Sequence, residues 1–120
     1  MLGRLAARVM TIELVPGLAR MAAANLKRTG TGANVEVRAA DGSVGFAEWS
    51  PYDAISVAAA APEVPVSLLV QLRDPGILVI PVGPRHDQEL RVVTKRNGRI
   101  DYRVATLCRF VPLLGGEGWH

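Results

Sequence analysis

The chain is 120 residues long, the size of one small domain with a single hydrophobic core. Hydrophobic residues make up 49% of it and charged residues 21%, a balance that excludes an intrinsically disordered chain. The formal net charge is +3, and the 14 basic residues are scattered without a long run of like charges. A solvated basic surface is therefore favoured over a nucleic-acid-binding face.

Cysteine content and hydropathy exclude further classes. Cys108 is the single cysteine, so it has no partner for an internal disulfide, and its apolar neighbours predict a buried structural thiol. It has no neighbouring Cys or His, so we expect no metal site. No apolar stretch approaches the ~18–20 residues that a membrane-spanning helix needs, and residues 1–8 contain no signal-peptide core. We expect a cytoplasmic protein that does not bind a membrane.

The first third of the chain predicts alternating strands and helices. Residues 1–8 have the pattern of the last turns of a helix, and residues 9–14 form a short apolar run typical of a buried strand. Pro16 is well placed in the first turn of a helix, which the glycines at 30 and 32 end. Residues 34–41 alternate apolar and polar side chains and predict a second strand.

The middle of the chain predicts a strand, a helix and another strand. Residues 52–58 form the third strand, and residues 65–72 form a short helix whose leucines face inward: Leu68, Leu69 and Leu72. The sequence Arg73-Asp74-Pro75-Gly76 predicts a turn. Residues 77–82 are almost all aliphatic, which is typical of a parallel strand covered on both faces.

The last third predicts a β-hairpin. Strands at residues 90–95 and 102–108 flank a segment with Asn97-Gly98, a favoured hairpin turn. The order of elements predicts an α/β fold with a mainly parallel sheet and a C-terminal antiparallel β-hairpin. We expect one domain over residues 1–120.

Acidic residues at strand ends are the first candidates for a site. In such a sheet, ligands bind beyond the carboxyl ends of the strands. Glu13 and Asp41 fall at these ends, where one carboxylate suits a ribose diol and the other an adenine amine. The alternatives are that Glu13 caps the Pro16 helix and that Asp41-Gly42 is an ordinary turn. Asp53 lies at the opposite end of its strand and is more typical of a turn or cap residue.

Several motifs, in order and spacing, resemble the protein-L-isoaspartate O-methyltransferase family. They are TIELVPGLA (residues 11–19), the strand ending in Asp41-Gly42, PYDAI (51–55), AAAP (59–62), LRDPGILVIPVG (72–83) and RFVPL (109–113), followed by Gly118-Trp119. Many methyltransferases share the first motifs, whereas the AAAP and RFVPL pair is more specific. In one motif the family usually has Gly-Gly where this chain has Pro75-Gly76.

The resemblance implies a fold and a set of roles. The fold would be an incomplete Rossmann-like class I methyltransferase sheet, and the cofactor would be S-adenosylmethionine. Glu13 resembles the ribose ligand, and Asp41 and Gly42 resemble the contacts on the adenine side. The entry of the isoaspartyl substrate would lie beside a segment of small residues: Ala58, Ala59, Ala60, Ala61 and Pro62. No residue matches a catalytic position, and His86 and His120 match none of the family's positions.

The resemblance also implies a truncated chain. The family has a central strand, a Gly-x-Gly-x-Gly loop and an N-terminal region upstream of the position of Met1. Gly30-Thr31-Gly32 does not replace that loop, because it follows a predicted helix and the loop must follow a strand. We therefore expect weakened cofactor binding and impaired methyl transfer, although the family itself is enzymatic.

Loss of the central strand would leave the strands at residues 9–14 and 52–58 with open edges. They would pair directly, receive a strand from a partner chain or second copy, or cause aggregation. The function implied is methylation of the α-carboxyl of isoaspartyl residues in damaged proteins. The alternative is a non-catalytic Rossmann-like interaction module that needs a partner chain.

Overall fold

The structure is a computed structural model that describes residues 9–13, 35–84 and 86–119. The chain divides into two compact units, residues 1–42 and 43–120, and each is described by itself. The helices predicted at residues 1–8 and after Pro16 lie outside the described residues. The single partial domain over residues 1–120 stays a prediction.

The first unit contains two parallel strands, β1 (Val9–Glu13) and β2 (Val35–Ala39). They pair without a register shift, from Val9 opposite Val35 to Glu13 opposite Ala39. The predicted strands at residues 9–14 and 34–41 are confirmed in their described residues, and the second ends at Ala39. Parallel pairing places the carboxyl ends of both strands at the same edge of the sheet.

The second unit contains a four-stranded sheet in the order β3-β4-β5-β6. Its strands are β3 (Tyr52–Ser56), β4 (Leu72–Val82), β5 (Gln88–Arg96) and β6 (Arg99–Cys108). β3 and β4 are parallel, whereas β4–β5 and β5–β6 are antiparallel. The predicted C-terminal hairpin is confirmed and is longer at both strands than the sequence indicated.

One short helix and two 3-10 turns complete the described elements. Helix α1 (Val66–Gln71) begins after Pro65, and the 3-10 turns cover Gly42–Val44 and Ala47–Trp49. The helix is shorter than the predicted 65–72 because Leu72 already has extended backbone angles and begins β4. Leu68 and Leu72 are buried and Leu69 is partly buried, as the helical spacing predicted.

The predicted turn at residues 73–76 is wrong, because these residues form an irregular stretch inside β4. Tyr52 pairs with Leu72 and Ala54 with Ile77, so β4 has extra residues opposite one short step of β3. A bulge of this kind lets an Asp-Pro-Gly sequence remain in a strand, because the extra residues leave the ladder and return to it.

The core of the second unit lies between α1 and one face of the sheet. It is an aliphatic cluster of Ala61, Leu68, Leu72, Leu78, Ile80, Val82 and Val93. Lys95 closes the carboxyl end of the helix, because its Nζ donates to the carbonyl oxygens of Leu69 at 3.0 Å and Leu72 at 3.1 Å.

The prediction that residues 77–82 are covered on both faces is wrong for the start of this segment. Ile77 is 47% exposed, whereas Leu78 and Ile80 on the other face are fully buried. In the described part of the chain, the helical cover lies on the Leu78 face. The expectation of a fully buried Cys108 is also wrong, because it ends the edge strand β6 and is half-buried.

Candidate functional site

The first candidate region is the carboxyl edge of the β1–β2 pair. Glu13 is the last residue of β1 and lies opposite Ala39, the last residue of β2. Asp41 follows Ala39 by two positions, so both acids sit where adjacent parallel strands end. The pairing brings Glu13 and Asp41 to one edge, as predicted.

Gly42 connects this edge to the side chain of Ile12. A Cβ added at Gly42 would lie 3.5 Å from Ile12 Cγ2 and 3.8 Å from its Cβ, which is ordinary van der Waals distance. The turn after β2 therefore folds back beside the end of β1. Asp41 and Gly42 are half-buried.

This edge has the chemistry that a nucleoside needs. A carboxylate accepts hydrogen bonds from both hydroxyls of a ribose diol, and a second one beside it accepts from an exocyclic amine. The residue types Glu13 and Asp41 provide this pair on adjacent strands, with a glycine next to the second acid. The donor set at this edge, two acids and a glycine, is of the kind that the nucleoside part of S-adenosylmethionine requires, and the roles of Glu13, Asp41 and Gly42 stay predictions.

The second candidate region is the segment from Ala58 to Pro62, in the other unit. Ala60 and Ala61 are completely or almost completely buried, whereas Ala58 and Pro62 are exposed. The centre of this segment is therefore closely packed. Its proximity to a substrate stays a prediction.

Backbone hydrogen bonds join this segment, which contains the AAAP motif, to the RFVPL motif. These two motifs are the more specific part of the resemblance. Ala60 N donates to Val111 O and Leu113 N donates to Ala60 O, both at 2.7 Å. On its other side, Ala61 N donates to Pro81 O and Gly83 N donates to Ala61 O, both at 3.0 Å. The segment is thus held between the end of β4 and the RFVPL motif by hydrogen bonds on both sides.

A cavity of about 520 Å³ opens next to this segment. Residues after the alanines and residues near the C-terminus form its wall, among them Pro62, Glu63, Ser67, Gly116 and Glu117. Val64, Pro65 and Val66 also line the cavity, so its wall presents both apolar and polar groups.

A buried glutamine, Gln88, orders this second region, and the sequence pattern did not predict it. Gln88 is 2% exposed; its Oε1 accepts from Phe110 N at 2.8 Å and its Nε2 donates to Pro84 O at 2.8 Å. Phe110 directly precedes Val111, which bonds to Ala60, so Gln88 fixes one end of the RFVPL motif. A lone Gln at a strand start gives no local signal of such a partner 22 residues away.

The remaining sequence candidates do not join either region. Asp53 lies on β3 and forms an exposed ion pair with Arg73 Nε at 3.0 Å, so its prediction as a turn or cap residue is wrong. His86 is exposed, and its carbonyl oxygen accepts a hydrogen bond from Arg109 Nε. His120 lies outside the described residues. Within the described ranges, no three His, Cys, Asp or Glu residues cluster as metal ligands, and no helix has the length and hydropathy to cross a membrane.

Comparison with known proteins identifies the family. The family model for "Protein-L-isoaspartate(D-aspartate) O-methyltransferase (PCMT)" matches residues 1–118. The chain belongs to the PCMT family. The resemblance of the AAAP and RFVPL motifs, which the structure joins by hydrogen bonds, is confirmed. Proteins of the PCMT family use S-adenosylmethionine.

Similar PCMT proteins come from several organisms. A protein-L-isoaspartate O-methyltransferase of Hyperthermus butylicus is 50% identical over 113 residues, which are 93% of this chain and 47% of that protein. Another, from Staphylothermus marinus, is 51% identical over 113 residues, 92% of this chain and 50% of that protein. The chain therefore spans about half the length of the curated relatives it matches.

Solved PCMT structures share the fold. A Plasmodium falciparum protein-L-isoaspartate O-methyltransferase, crystallised in complex with S-adenosyl-L-homocysteine, superposes with a TM-score of 0.78 at 29% identity. The match covers 89% of this chain and 52% of that one. A second protein-L-isoaspartate O-methyltransferase gives a TM-score of 0.77 at 28% identity, over 92% of this chain and 35% of that one. The predicted fold class, an incomplete class I methyltransferase sheet, is confirmed.

Proposed function

We propose that this chain carries the nucleoside half of the cofactor site and part of the substrate entry of a protein-L-isoaspartate O-methyltransferase. The reaction is the transfer of a methyl group from S-adenosylmethionine to the α-carboxyl of isoaspartyl residues in damaged proteins. The proposal rests on the parallel pairing of β1 and β2, which has no register shift. This pairing places Glu13 and Asp41 at the ends of adjacent strands.

The proposal assigns a role to each residue of the first region. Glu13 would accept hydrogen bonds from the ribose hydroxyls, and Asp41 would accept one from the adenine amine. Gly42 would allow the base to lie close to the backbone. When bound, S-adenosylmethionine supplies an activated methyl group; this chain's contribution is to bind and orient its nucleoside.

In the second region, the proposal concerns the peptide. Residues 58–62 and the RFVPL motif would form one wall of the substrate entry, because hydrogen bonds join the two segments and a cavity that Pro62 lines opens beside the first. The carboxylate of an isoaspartyl residue is a sufficient nucleophile once it is aligned and desolvated, so no catalytic side chain is assigned. A cytoplasmic location is part of the proposal and is favoured by the single cysteine.

Calorimetric titration of the purified chain with S-adenosylhomocysteine tests the nucleoside site. We expect binding with a Kd on the order of micromolar, weakened at least about tenfold in Glu13→Ala and in Asp41→Asn. Glu48→Ala is the matched control, because it removes one negative charge from an exposed site in the other unit. No binding by folded protein, or equal loss in the control, would contradict the proposal.

A methyl-transfer assay on an isoaspartyl peptide then tests the reaction. We expect slow transfer to the isoaspartyl peptide and none to the matching aspartyl peptide. Binding of S-adenosylhomocysteine without any transfer would limit the function of this chain to cofactor recognition.

A second candidate function is that of an interaction module. Among the described residues, no strand pairs with the outer edges of β1 or β3, and these strands belong to different sheets. Capture of a partner strand by these edges, with no cofactor binding in the titration above, would favour this candidate.

A further inference from the structure

The edge strand β6 presents a row of exposed apolar side chains. Ile100 is 46% exposed, Tyr102 56%, Val104 45% and Leu107 79%. The pairing with β5 shifts register between Leu90 and Arg91, so that Val104 lies opposite Arg91 while Leu107 lies opposite Glu89. Because Glu89 and Arg91 project from one face of β5, the shift returns Leu107 to the face of the other three.

This row continues the apolar face of the sheet beyond the core. Val93, which is buried in the core, lies opposite Tyr102. The guanidinium carbon of Arg91 lies 4.3 Å from the centre of the Tyr102 ring, and this contact holds the ring over the same face. The apolar face thus extends to the free edge, where β6 has no further strand beside it in the described chain.

The hairpin turn determines which backbone groups of β6 point away from β5. Asn97 and Gly98 have φ values of 53° and 75°, as in a type I′ turn, which hydrogen-bonds the flanking residues Arg96 and Arg99. Hydrogen-bonded and non-hydrogen-bonded pairs then alternate along the ladder. The N–H and C=O groups of Ile100, Tyr102 and Val104 therefore point outward from the sheet edge.

The sequence of this edge is complementary to itself in one antiparallel register. If Tyr102 of one copy faces Tyr102 of another, Ile100 faces Val104 of the second copy. The three outward-pointing residues of each strand then face each other, which permits a continuous ladder of hydrogen bonds. Asp101 falls directly opposite Arg103 of the second copy, and the two-fold symmetry makes this charge pair twice.

Neighbouring registers are opposed by charge, by length or by the irregularity of β6. Centring on Val104 would require pairing across Ala105, where the register shift against β5 interrupts the regular strand. Centring on Asp101 or Arg103 places like charges directly opposite each other, and so does parallel in-register pairing. Centring on Ile100 leaves only residues 99–101 in contact before the turn begins. The charges that protect this edge against other strands therefore select the Tyr102-centred register for a second copy.

We propose that two copies of this chain associate edge to edge through antiparallel β6 strands centred on Tyr102. The sheet β3-β4-β5-β6 then continues into that of the second copy, and the apolar rows of both join on one face. This interface is different from the edges of β1 and β3 and does not depend on cofactor binding.

Sedimentation velocity of the full chain over a concentration series tests the proposal through charge reversal. We expect a monomer–dimer equilibrium in the unaltered chain, and a dissociation constant at least about tenfold higher in Asp101→Arg and in Arg103→Asp. Each single reversal places two like-charged pairs in the interface. The variant with both reversals restores two opposite pairs and should dimerise like the unaltered chain.

Mixing the two single variants separates loss of the interface from loss of the fold. A copy with Asp101→Arg and a copy with Arg103→Asp have complementary charges at both pairs, so their mixture should form a heterodimer although neither forms a homodimer. Leu107→Asp is the control for unspecific apolar association, because Leu107 lies outside the paired segment and should leave the dimer intact. A monomer at every concentration, growth beyond dimers, or a mixture that stays monomeric would overturn the proposal.

Discussion

Two regions of the unit that contains β3 to β6 differ in the sequence separation of their contacts. One is stabilised by contacts between neighbours in the sequence, and the other by contacts between distant residues. The hairpin region consists of β5, β6 and their turn, and its partners are neighbours in the sequence. The clamp region consists of residues 43–46, helix α1 and residues 115–119. Its hydrogen bonds join groups 25, 27, 50 and 74 residues apart. Local contacts form at little entropic cost, whereas the clamp must close long loops before any of its bonds form.

Single side chains contribute more to stability in the clamp region than in the hairpin region. In the hairpin region, backbone pairing runs along both strands with one register shift, and most side chains of β6 are exposed. In the clamp region, side chains replace strand pairing as partners of the backbone. A substitution in the clamp therefore leaves backbone groups without partners in a partly buried place, and we expect it to have the larger effect.

Gln71→Leu is the substitution with the largest expected effect. Gln71 is 8% exposed; its Oε1 accepts from Phe46 N and its Nε2 donates to Val44 O, each at 2.9 Å. Leucine has a similar size but satisfies neither group. We expect the free energy of unfolding to fall by about 2–4 kcal/mol, measured by urea denaturation.

Two controls sharpen that prediction. Gln71→Glu retains an acceptor for Phe46 N but loses the donor to Val44 O, and we expect a smaller loss. Val70→Ala changes an exposed neighbour on the same helix and should alter stability by less than about 0.5 kcal/mol. Equal effects of Gln71→Leu and Val70→Ala would show that the clamp contributes nothing.

Glu117→Ala tests the second contact of the clamp. Pro65 precedes α1 without a side-chain cap, and the Glu117 carboxylate instead accepts from Ser67 N at 3.0 Å and from Ser67 Oγ. Glu117 thus acts as a remote cap and places its charge at the positive end of the helix. We expect a loss of about 1–2 kcal/mol in the free energy of unfolding, as for removal of a helix cap.

A double-mutant cycle with Ser67→Ala isolates this contact. Because the two residues share their hydrogen bonds, the combined loss should be smaller than the sum of the single losses. Glu63→Ala, an exposed glutamate at the wall of the same cavity, is the matched control and should have little effect. Strict additivity of Ser67→Ala and Glu117→Ala would contradict a direct cap.

The same contrast explains how far the sequence predicted the molecule. The hairpin followed from Asn97-Gly98. The strand ending at Glu13 followed from a short apolar run, and the strand two residues before Asp41 followed from alternating apolar and polar residues. Gln71 and Gln88 were missed, because a buried glutamine has no periodicity of its own and its partners are distant in sequence. The AAAP and RFVPL motifs were recognised, but their hydrogen-bonded contact required the tertiary structure.

The turn predicted at residues 73–76 was wrong for a related reason. Asp-Pro-Gly is typical of a turn, but here tertiary contacts keep it inside β4. The Asp74 carboxylate accepts from Asn97 N at 2.8 Å and from Gly98 N at 2.7 Å, and so holds the tip of the distant hairpin. The hairpin region therefore also has a long-range contact, but the groups that form it are exposed to solvent.

Asp74→Ala should therefore have a smaller effect than the clamp substitutions. Water replaces the lost acceptor at an exposed turn, so we expect a loss of about 0.5–1 kcal/mol in the free energy of unfolding. Amide exchange should accelerate at Asn97 and Gly98 while β4 and the rest of β5 stay protected. Asp53→Ala, which removes an exposed ion pair with Arg73, is the control and should leave that exchange unchanged.

The smallest expected effect is a dependence of clamp stability on alkaline pH. The hydroxyl of Tyr52 donates to Phe46 O, and burial raises the pKa of Tyr52 above its ordinary value of 10.0. Below pH 10 the tyrosine is protonated in both the folded and the unfolded chain. Above it, the unfolded chain loses the proton first, so stability should fall as the pH rises from about 10 towards the pKa of the folded state.

Thermal unfolding between pH 8 and 11 measures this dependence as a difference between variants, because other basic groups titrate in the same range. Tyr52→Phe removes the ionising hydroxyl and its hydrogen bond, so it should be less stable at pH 8 but lose less on going to pH 11. Equal losses of stability between pH 8 and pH 11 in the unaltered chain and in Tyr52→Phe would contradict burial of the Tyr52 hydroxyl as the cause of the pH dependence.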